Sequence, residues 1–145
     1  MIRYIIALKE LGINNSNLIT LLESYSSDIK KMFTDDSIFE TSLEIMACRE
    51  YFSNQKEVKE SLVKADRILE KSKKLEIKVT YYTDRNYPKE LSQIANPPAV
   101  IYYKGANFCE ISENSIACVG TRKPTKLSYN AINYLVPQWV NNGCS

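Results

Sequence analysis

The spacing of apolar residues changes from a helical to a strand period near Lys74, and this change limits the folds that the chain can adopt. Between residues 54 and 74 the apolar residues recur at steps of four, three and four, as on one face of an α-helix: Val58, Leu62, Ala65 and Leu69. From residue 77 they alternate with polar residues, as in a half-buried strand: Ile77, Val79 and Tyr81. The sequence therefore predicts a helical domain over residues 1–74 and an α/β domain over residues 75–145.

A turn at Gly12 separates the first two predicted helices. Residues 2–11 place apolar side chains at helical spacing, and Gly12 ends this helix because glycine readily adopts a positive φ. A second helix begins at Asn15 or Ser16, whose side chains can cap its free amides. Such a turn could hold DNA phosphates through its backbone amides, but packing within a helical bundle is the favoured interpretation.

Two further features of the first domain have local explanations. A short helix is expected over residues 28–33, and Ser37 with Glu40 has the spacing of a capping box. Three lysines stand near the end of the 54–74 helix: Lys71, Lys73 and Lys74. Their charge complements the dipole of the helix, and we prefer this interpretation over contact with DNA.

The second domain has the order strand, glycine turn, helix and unfinished strand. The short apolar runs at 99–103 and 116–119 predict strands that are buried on both faces. The helix that follows is expected to begin at Thr125 or Ser128 and to end at Asn142-Gly143, with Cys144-Ser145 opening another strand. This order predicts the first part of a doubly wound, Rossmann-like parallel sheet.

The side-chain inventory excludes several classes of function. The chain has no histidine, which removes the usual general base, the common nucleophile pairs and the commonest zinc ligand. Its four cysteines form no C-x-x-C pair, so neither a zinc site nor a disulfide framework is indicated. No stretch approaches the roughly 20 apolar residues that span a bilayer. The sequence predicts a cytoplasmic protein with no metal, cofactor or membrane partner.

A basic turn at the end of the 116–119 strand is the candidate site. Open α/β sheets bind ligands at this position, where the free amides and dipole of the next helix favour anions. Gly120 allows a sharp turn and close approach to a ligand, and Arg122 supplies a planar fork for phosphate oxygens. The candidate phosphate-binding residues are Gly120, Thr121, Arg122, Lys123, Thr125 and Lys126. The single glycine excludes a G-x-G-x-x-G dinucleotide fingerprint, and an ordinary turn with a solvated arginine remains the alternative.

Three sequence segments, in order, resemble the DNA-processing protein A family, which is also called Smf. They are Tyr87-Pro88 with Leu91, Pro97-Pro98-Ala99-Val100-Ile101-Tyr102-Tyr103-Lys104-Gly105, and Ile116-Ala117-Cys118-Val119-Gly120-Thr121-Arg122-Lys123-Pro124-Thr125. They follow a helical region that contains Leu11-Gly12-Ile13. One departure is Leu127-Ser128, where the family usually has a tyrosine-glycine pair.

The resemblance implies a particular fold and partner. It implies a helical domain of the sterile-alpha-motif or helix-hairpin-helix kind, followed by a Rossmann-like domain of which this chain holds only the first part. It also implies a non-enzymatic protein that binds single-stranded DNA and delivers it to the RecA recombinase in natural transformation or recombination, with a homodimer as the complete form. By the family's glycine-threonine/serine-arginine motif, Arg122 lines the DNA-binding pocket.

Two other functions fit parts of the same sequence. A Rossmann-like enzyme that binds a nucleotide or a small phosphate ester would use the same strand-turn-helix anion site. A helical protein-interaction module would use only residues 1–74. Binding of oligonucleotides but not of single nucleotides separates the first hypothesis from the enzyme.

Overall fold

The computed structural model describes residues 1–110 and 114–144 of the chain. Within it the chain forms two compact units, Met1–Gly105 and Ala106–Ser145. The first unit contains five α-helices and the two strands, and the second contains one long helix.

Helices make up most of the first unit, which confirms the predicted helical N-terminal part. Three are ordinary helices, α1 (Ile2–Glu10), α2 (Asn15–Ser24) and α4 (Gln55–Lys74), and two are single turns, α3 (Leu43–Met46) and α5 (Lys89–Ser92). Short 3₁₀ helices lie between α2 and α4, at Lys31–Phe33, Asp36–Glu40 and Arg49–Phe52.

Local capping differs from the sequence prediction at two places. Asn14 rather than Asn15 or Ser16 caps α2, and its side-chain oxygen accepts a hydrogen bond of 2.9 Å from the amide of Asn17. Ser37 lies inside a 3₁₀ helix and is not the cap of a longer helix. Its amide donates to the Asp35 carboxylate at 3.0 Å, so the helix start moves two residues upstream. Both shifts arise because several adjacent residues are of types that can cap a helix, and the sequence does not show which of them occupies the cap position.

The core of the first unit forms where α1 packs against α4. Ile6 and Ala7 of α1 meet Ala65 of α4, and all three are fully buried. A larger cluster on the other side of α1 joins it to α2 and the short helices, and it contains Ile5, Leu8, Leu18, Leu21, Leu22, Ile29, Phe39 and Ile45. Burial of this apolar surface is the main force that holds the short helices together.

The two strands form an antiparallel pair that packs on the helices. β1 (Lys78–Tyr81) pairs with β2 (Val100–Tyr103) in the register that places Val79 opposite Tyr102. Val79 packs against both apolar clusters, and Ala99 and Val100 are buried within the larger one. The compact unit consequently extends through Gly105, although the sequence period changes near Lys74.

The described residues do not form the predicted parallel sheet. Their one sheet has two strands, and these run antiparallel. Residues 116–119, which were expected to be a buried strand, have no strand partner among the described residues, and Val119 is 97% exposed. An apolar run indicates that a segment can form a strand. It does not show which other segment would supply the hydrogen-bonded partner strand.

The second unit is built around α6 (Lys126–Asn141). Thr125, one of the two predicted caps, begins the helix, and Gly143 follows its end with a φ of 79°. The helix continues through Pro137. The strand expected at Cys144-Ser145 lies partly outside the described residues, because they end at Cys144.

None of the helices in the described parts of the chain combines the length and the apolar character needed to cross a membrane.

Candidate functional site

The predicted phosphate-binding residues lie together in the turn before α6 and in its first residue. All six are exposed: Gly120, Thr121, Arg122, Lys123, Thr125 and Lys126. The hydroxyl oxygen of Thr121 accepts a hydrogen bond of 3.2 Å from the amide of Lys123, which fixes the turn locally. The hydroxyl oxygen of Thr125 accepts one of 3.3 Å from the amide of Ser128. Thr121 therefore organises the turn around Arg122, and Thr125 caps the first turn of α6.

The start of α6 carries uncompensated positive charge. The first turn of the helix contains no acidic residue, so no side chain of that turn offsets the partial positive charge of the helix end. Arg122, Lys123 and Lys126 add three cationic side chains, and none of the ion pairs within residues 1–110 and 114–144 includes them. This arrangement suits an anion better than any neutral ligand.

Gly120 is not required by the backbone conformation of this turn. Its φ lies outside the positive range, unlike that of Gly12, Gly105 or Gly143. A Cβ atom built on Gly120 meets no atom within 4 Å. The turn therefore does not use the positive φ that glycine allows, and the space around Gly120 is open to a ligand.

The two amides that end α1 at the Gly12 turn are both bonded within the helix end. Gly12 has a φ of 92°, as predicted, and its amide donates to the Lys9 carbonyl at 3.0 Å. The next amide, that of Ile13, donates to the Leu8 carbonyl at 3.2 Å. These two bonds form a Schellman motif that ends α1, so the turn serves helix packing.

The tyrosines around the strand pair contribute to packing. The Tyr87 hydroxyl donates a hydrogen bond of 2.8 Å to the Pro98 carbonyl, and the rings of Tyr82 and Tyr87 lie 5.3 Å apart. Burial raises the pKa of Tyr81, Tyr87 and Tyr102 above the ordinary tyrosine value. Tyr81, Tyr82 and Tyr87 therefore pack around the strand pair, whereas Tyr102 keeps 40% of its surface exposed.

A second basic surface lies on the solvent face of α4. The sequence pattern alone did not predict it as a binding site. It consists of the exposed residues Lys64, Arg67, Lys71 and Lys74, which we call the α4 basic stripe. These four residues are separated by steps of three, four and three. This spacing could have predicted the surface, since residues at such steps share one face of a helix. The sequence analysis grouped Lys71 with Lys73 and Lys74 because they are close in sequence. Lys73 does not share the face of the stripe, so that grouping missed the helical spacing.

One groove of the first unit is acidic and does not favour phosphates. The groove beside α2 and α3 has a volume of about 280 Å³ and is lined by Asn17, Thr20, Leu43, Glu44 and Ala47. Its charged group is the Glu44 carboxylate, which accepts a hydrogen bond of 2.9 Å from the Tyr25 hydroxyl. Hydrogen bonding to its own backbone and then the Tyr25 contact hold the pKa of Glu44 below its usual value, so the groove carries negative charge. Among the described residues, no group of three possible ligands could hold a metal ion.

Comparison with known proteins identifies the part of the chain that contains the basic turn. Residues 78–145 match the family described as DNA recombination-mediator protein A. This part of the chain is similar to that family. The matched segment begins at β1 and includes α5, β2, the Gly120–Lys126 turn and α6.

One relative supports the same family. The DNA processing protein DprA of Bacillus subtilis (strain 168) is 29% identical to this chain over 87 residues, which are 60% of this chain and 29% of that protein. The matched region thus spans less than a third of the length of this relative. No solved structure matches the chain.

Proposed function

We propose that this chain binds single-stranded DNA as part of a recombination mediator, through the basic turn from Gly120 to Lys126. The observation that carries the proposal is the position of this turn. It lies within the segment that is similar to the DNA recombination-mediator protein A family, and it places Arg122 beside the uncompensated start of α6. Phosphate oxygens of a DNA strand are the anions that such a site would accept.

Delivery of the bound strand to RecA, in recombination or natural transformation, is the second part of the proposal. It rests on the family description and on the similarity to a DNA processing protein. In this proposal the protein acts in the cytoplasm without a catalytic reaction or a cofactor, and the complete form is a homodimer.

The Rossmann-like domain also remains part of the proposal. In this proposal residues 1–74 are the helical domain. Residues 75–145 correspond to the first part of the DNA-binding domain of longer relatives. Strands supplied by such a longer chain would pair with residues 116–119 and cover their apolar side chains. The Gly120 turn would then lie at the carboxyl end of a strand, where this class of sheet binds ligands.

The test measures binding of the whole chain to a fluorescein-labelled single-stranded oligonucleotide by fluorescence anisotropy over a series of salt concentrations. Arg122→Ala is expected to weaken binding to several sequences alike and to reduce the slope of log K against log salt by about 0.7, the value for one lost phosphate contact. Arg49→Ala is the matched control, because Arg49 is also exposed but lies outside the family segment. An affinity and a slope equal to those of the unaltered chain would remove Arg122 from the DNA site.

The same titration separates the enzyme hypothesis from the mediator hypothesis. A mediator binds oligonucleotides and does not bind a single nucleotide tightly, since its affinity is the sum of several phosphate contacts. Tight binding of a mononucleotide, with none of an oligonucleotide, would contradict the proposed function.

A further inference from the structure

We propose that the outer face of α4 is a second contact surface for single-stranded DNA, with the α4 basic stripe bound along the phosphate backbone. The inference rests on the proposed function for its choice of polyanion. Its own evidence is the arrangement of charges on the helix, which is independent of the Gly120 turn.

The stripe is a straight row of cations on the side of α4 opposite the core. Val58, Ala65 and Ser72 mark the buried face of the helix, and the four cations lie on the exposed face. Residues three or four apart on a helix are about 5–6 Å from one another. With a rise of about 1.5 Å per residue, the row from Lys64 to Lys74 is about 15 Å long. A row of this length can contact several consecutive phosphates.

The helix dipole explains only half of the stripe. Lys71 and Lys74 lie in the last turn of α4, where positive side chains are favourable. Lys64 and Arg67 lie well before that turn, and the dipole effect does not reach them because it falls off within the terminal turn. The dipole therefore does not account for the row as a whole.

Ion pairs within the protein do not explain the stripe either. No carboxylate of the described residues lies within 4 Å of any of its four charged groups. Asp66 is held by Arg3 at 2.6 Å and 2.8 Å, and Glu60 is 3.9 Å from Lys56. The other carboxylate of this half of the helix, Glu70, lies beside the row and forms no ion pair with any residue that the structure describes.

Like charges consequently face one another along the helix. Lys64 and Arg67, Arg67 and Lys71, and Lys71 and Lys74 are each three or four residues apart, and such pairs destabilise a helix. Glu60 and Glu70 precede Lys64 and Lys74 by four residues and offset part of this repulsion. A bound polyanion would relieve this repulsion. The four cations therefore have a favourable role when a negatively charged polymer lies along α4.

A nucleic-acid strand fits this surface better than a membrane does. A helix that binds a lipid surface needs a broad apolar face beside its basic one. The large apolar side chain exposed on α4 is Val63, which is 48% exposed, while the other apolar residues of the helix face the core. Evenly spaced cations with little apolar surface suit the evenly spaced phosphates of DNA.

The test compares two variants of the whole chain that remove equal charge. Lys64, Arg67, Lys71 and Lys74 are replaced by alanine in one, and the exposed lysines Lys9, Lys30, Lys89 and Lys104 are replaced by alanine in the control. Alanine has the highest helix propensity, so α4 is expected to remain folded, and circular dichroism checks this. Anisotropy with a labelled single-stranded oligonucleotide should show a salt slope lower by about 3 for the stripe variant, since four lost contacts contribute about 0.7 each. The control should show a much smaller change.

The outcomes distinguish this inference from the proposed function. Loss of affinity in Arg122→Ala but not in the stripe variant would overturn the α4 surface alone. Absence of oligonucleotide binding by the unaltered chain would overturn both. Titrations with poly-glutamate and with anionic phospholipid vesicles complete the test. If the stripe variant lost binding to either of these and kept its affinity for the oligonucleotide, the DNA assignment of α4 would be wrong.

Discussion

The hydroxyl of Tyr87 donates a hydrogen bond of 2.8 Å to the carbonyl of Pro98. This bond joins two of the sequence segments by which the chain resembles the DNA-processing protein A family. It ties the turn after β1 to the residues that enter β2, and Tyr87 itself is only 7% exposed. The two segments are therefore one structural feature that closes the loop between the strands.

We expect Tyr87→Phe to lower the free energy of unfolding by about 0.5–1.5 kcal/mol, the usual net value of one intramolecular hydrogen bond. The ring and its contact with Tyr82 would remain. Urea denaturation followed by circular dichroism measures the change. Tyr82→Phe is the matched control, because no described residue accepts a hydrogen bond from the Tyr82 hydroxyl. Equal effects of the two substitutions would contradict a specific role for the Tyr87 bond.

Local sequence signals predicted the elements whose formation depends on nearby residues. Gly12 ended α1 with a positive φ, and Thr125 capped α6, because each feature is decided within one turn of helix. The apolar steps of α4 identified the face that packs on α1. Such features need no knowledge of the rest of the chain.

Features that depend on distant partners could not be predicted in this way. Val79 and Tyr102 have the pattern of strand residues, but nothing in that pattern gives their antiparallel register. The turn from Gly120 to Lys126 was assigned as a unit because its members are neighbours in sequence. The α4 basic stripe required the residues to be placed on the helix, since its members are separated by other charges.

The end of α4 adopts an unfavourable backbone conformation at Glu76. The amide of Ile77 donates to Ser72 and that of Glu76 to Lys73, so the helix ends in the same Schellman motif as α1. Glu76 has a φ of 56° in the position that glycine occupies at Gly12. The backbone of a residue that has a side chain is strained in this left-handed region. The sequence could not predict this strain, because glutamate, unlike glycine, does not indicate a positive φ.

We expect Glu76→Gly to raise the free energy of unfolding by about 0.5–1 kcal/mol, because relief of strain exceeds the added freedom of the unfolded chain. Urea denaturation measures the change. Glu70→Gly is the control, since the same substitution inside α4 should lower stability by about 1 kcal/mol. A loss of stability in both variants would show that the Glu76 side chain stabilises the helix end.

The ion pair between Arg3 and Asp66 makes stability depend on pH. The guanidinium of Arg3 contacts both carboxylate oxygens, and this hydrogen bonding lowers the pKa of Asp66. A lowered pKa means that the folded state binds the proton more weakly than the unfolded state. The stabilisation is therefore present above the unfolded pKa of about 3.9 and is lost as the pH falls through the lower folded value.

We expect Asp66→Asn to lower the urea midpoint near neutral pH and to match the unaltered chain in strong acid. Urea denaturation across a pH series measures the difference between the two. Asp36→Asn is the control, because Asp36 is exposed and is absent from the ion pairs of the described residues. A difference that stayed constant from neutral pH to strong acid would show that Asp66 acts through packing and not through its charge.

Substitution of Gly120 tests whether the glycine before α6 is needed for backbone conformation or for close approach of DNA. Its φ is not positive and a Cβ atom meets open space, so Gly120→Ala should leave the free energy of unfolding unchanged or raise it by up to about 1 kcal/mol. If the DNA backbone approaches this turn closely, the added methyl group should weaken binding of a labelled oligonucleotide while the salt slope stays the same, because no charge is removed. Gly105→Ala is the control: its Cβ also meets open space, but its φ of 104° is unfavourable for alanine, so it should lose stability without losing affinity. Unchanged affinity in Gly120→Ala would exclude close approach at this glycine and leave Arg122 and the lysines as the phosphate contacts of the turn.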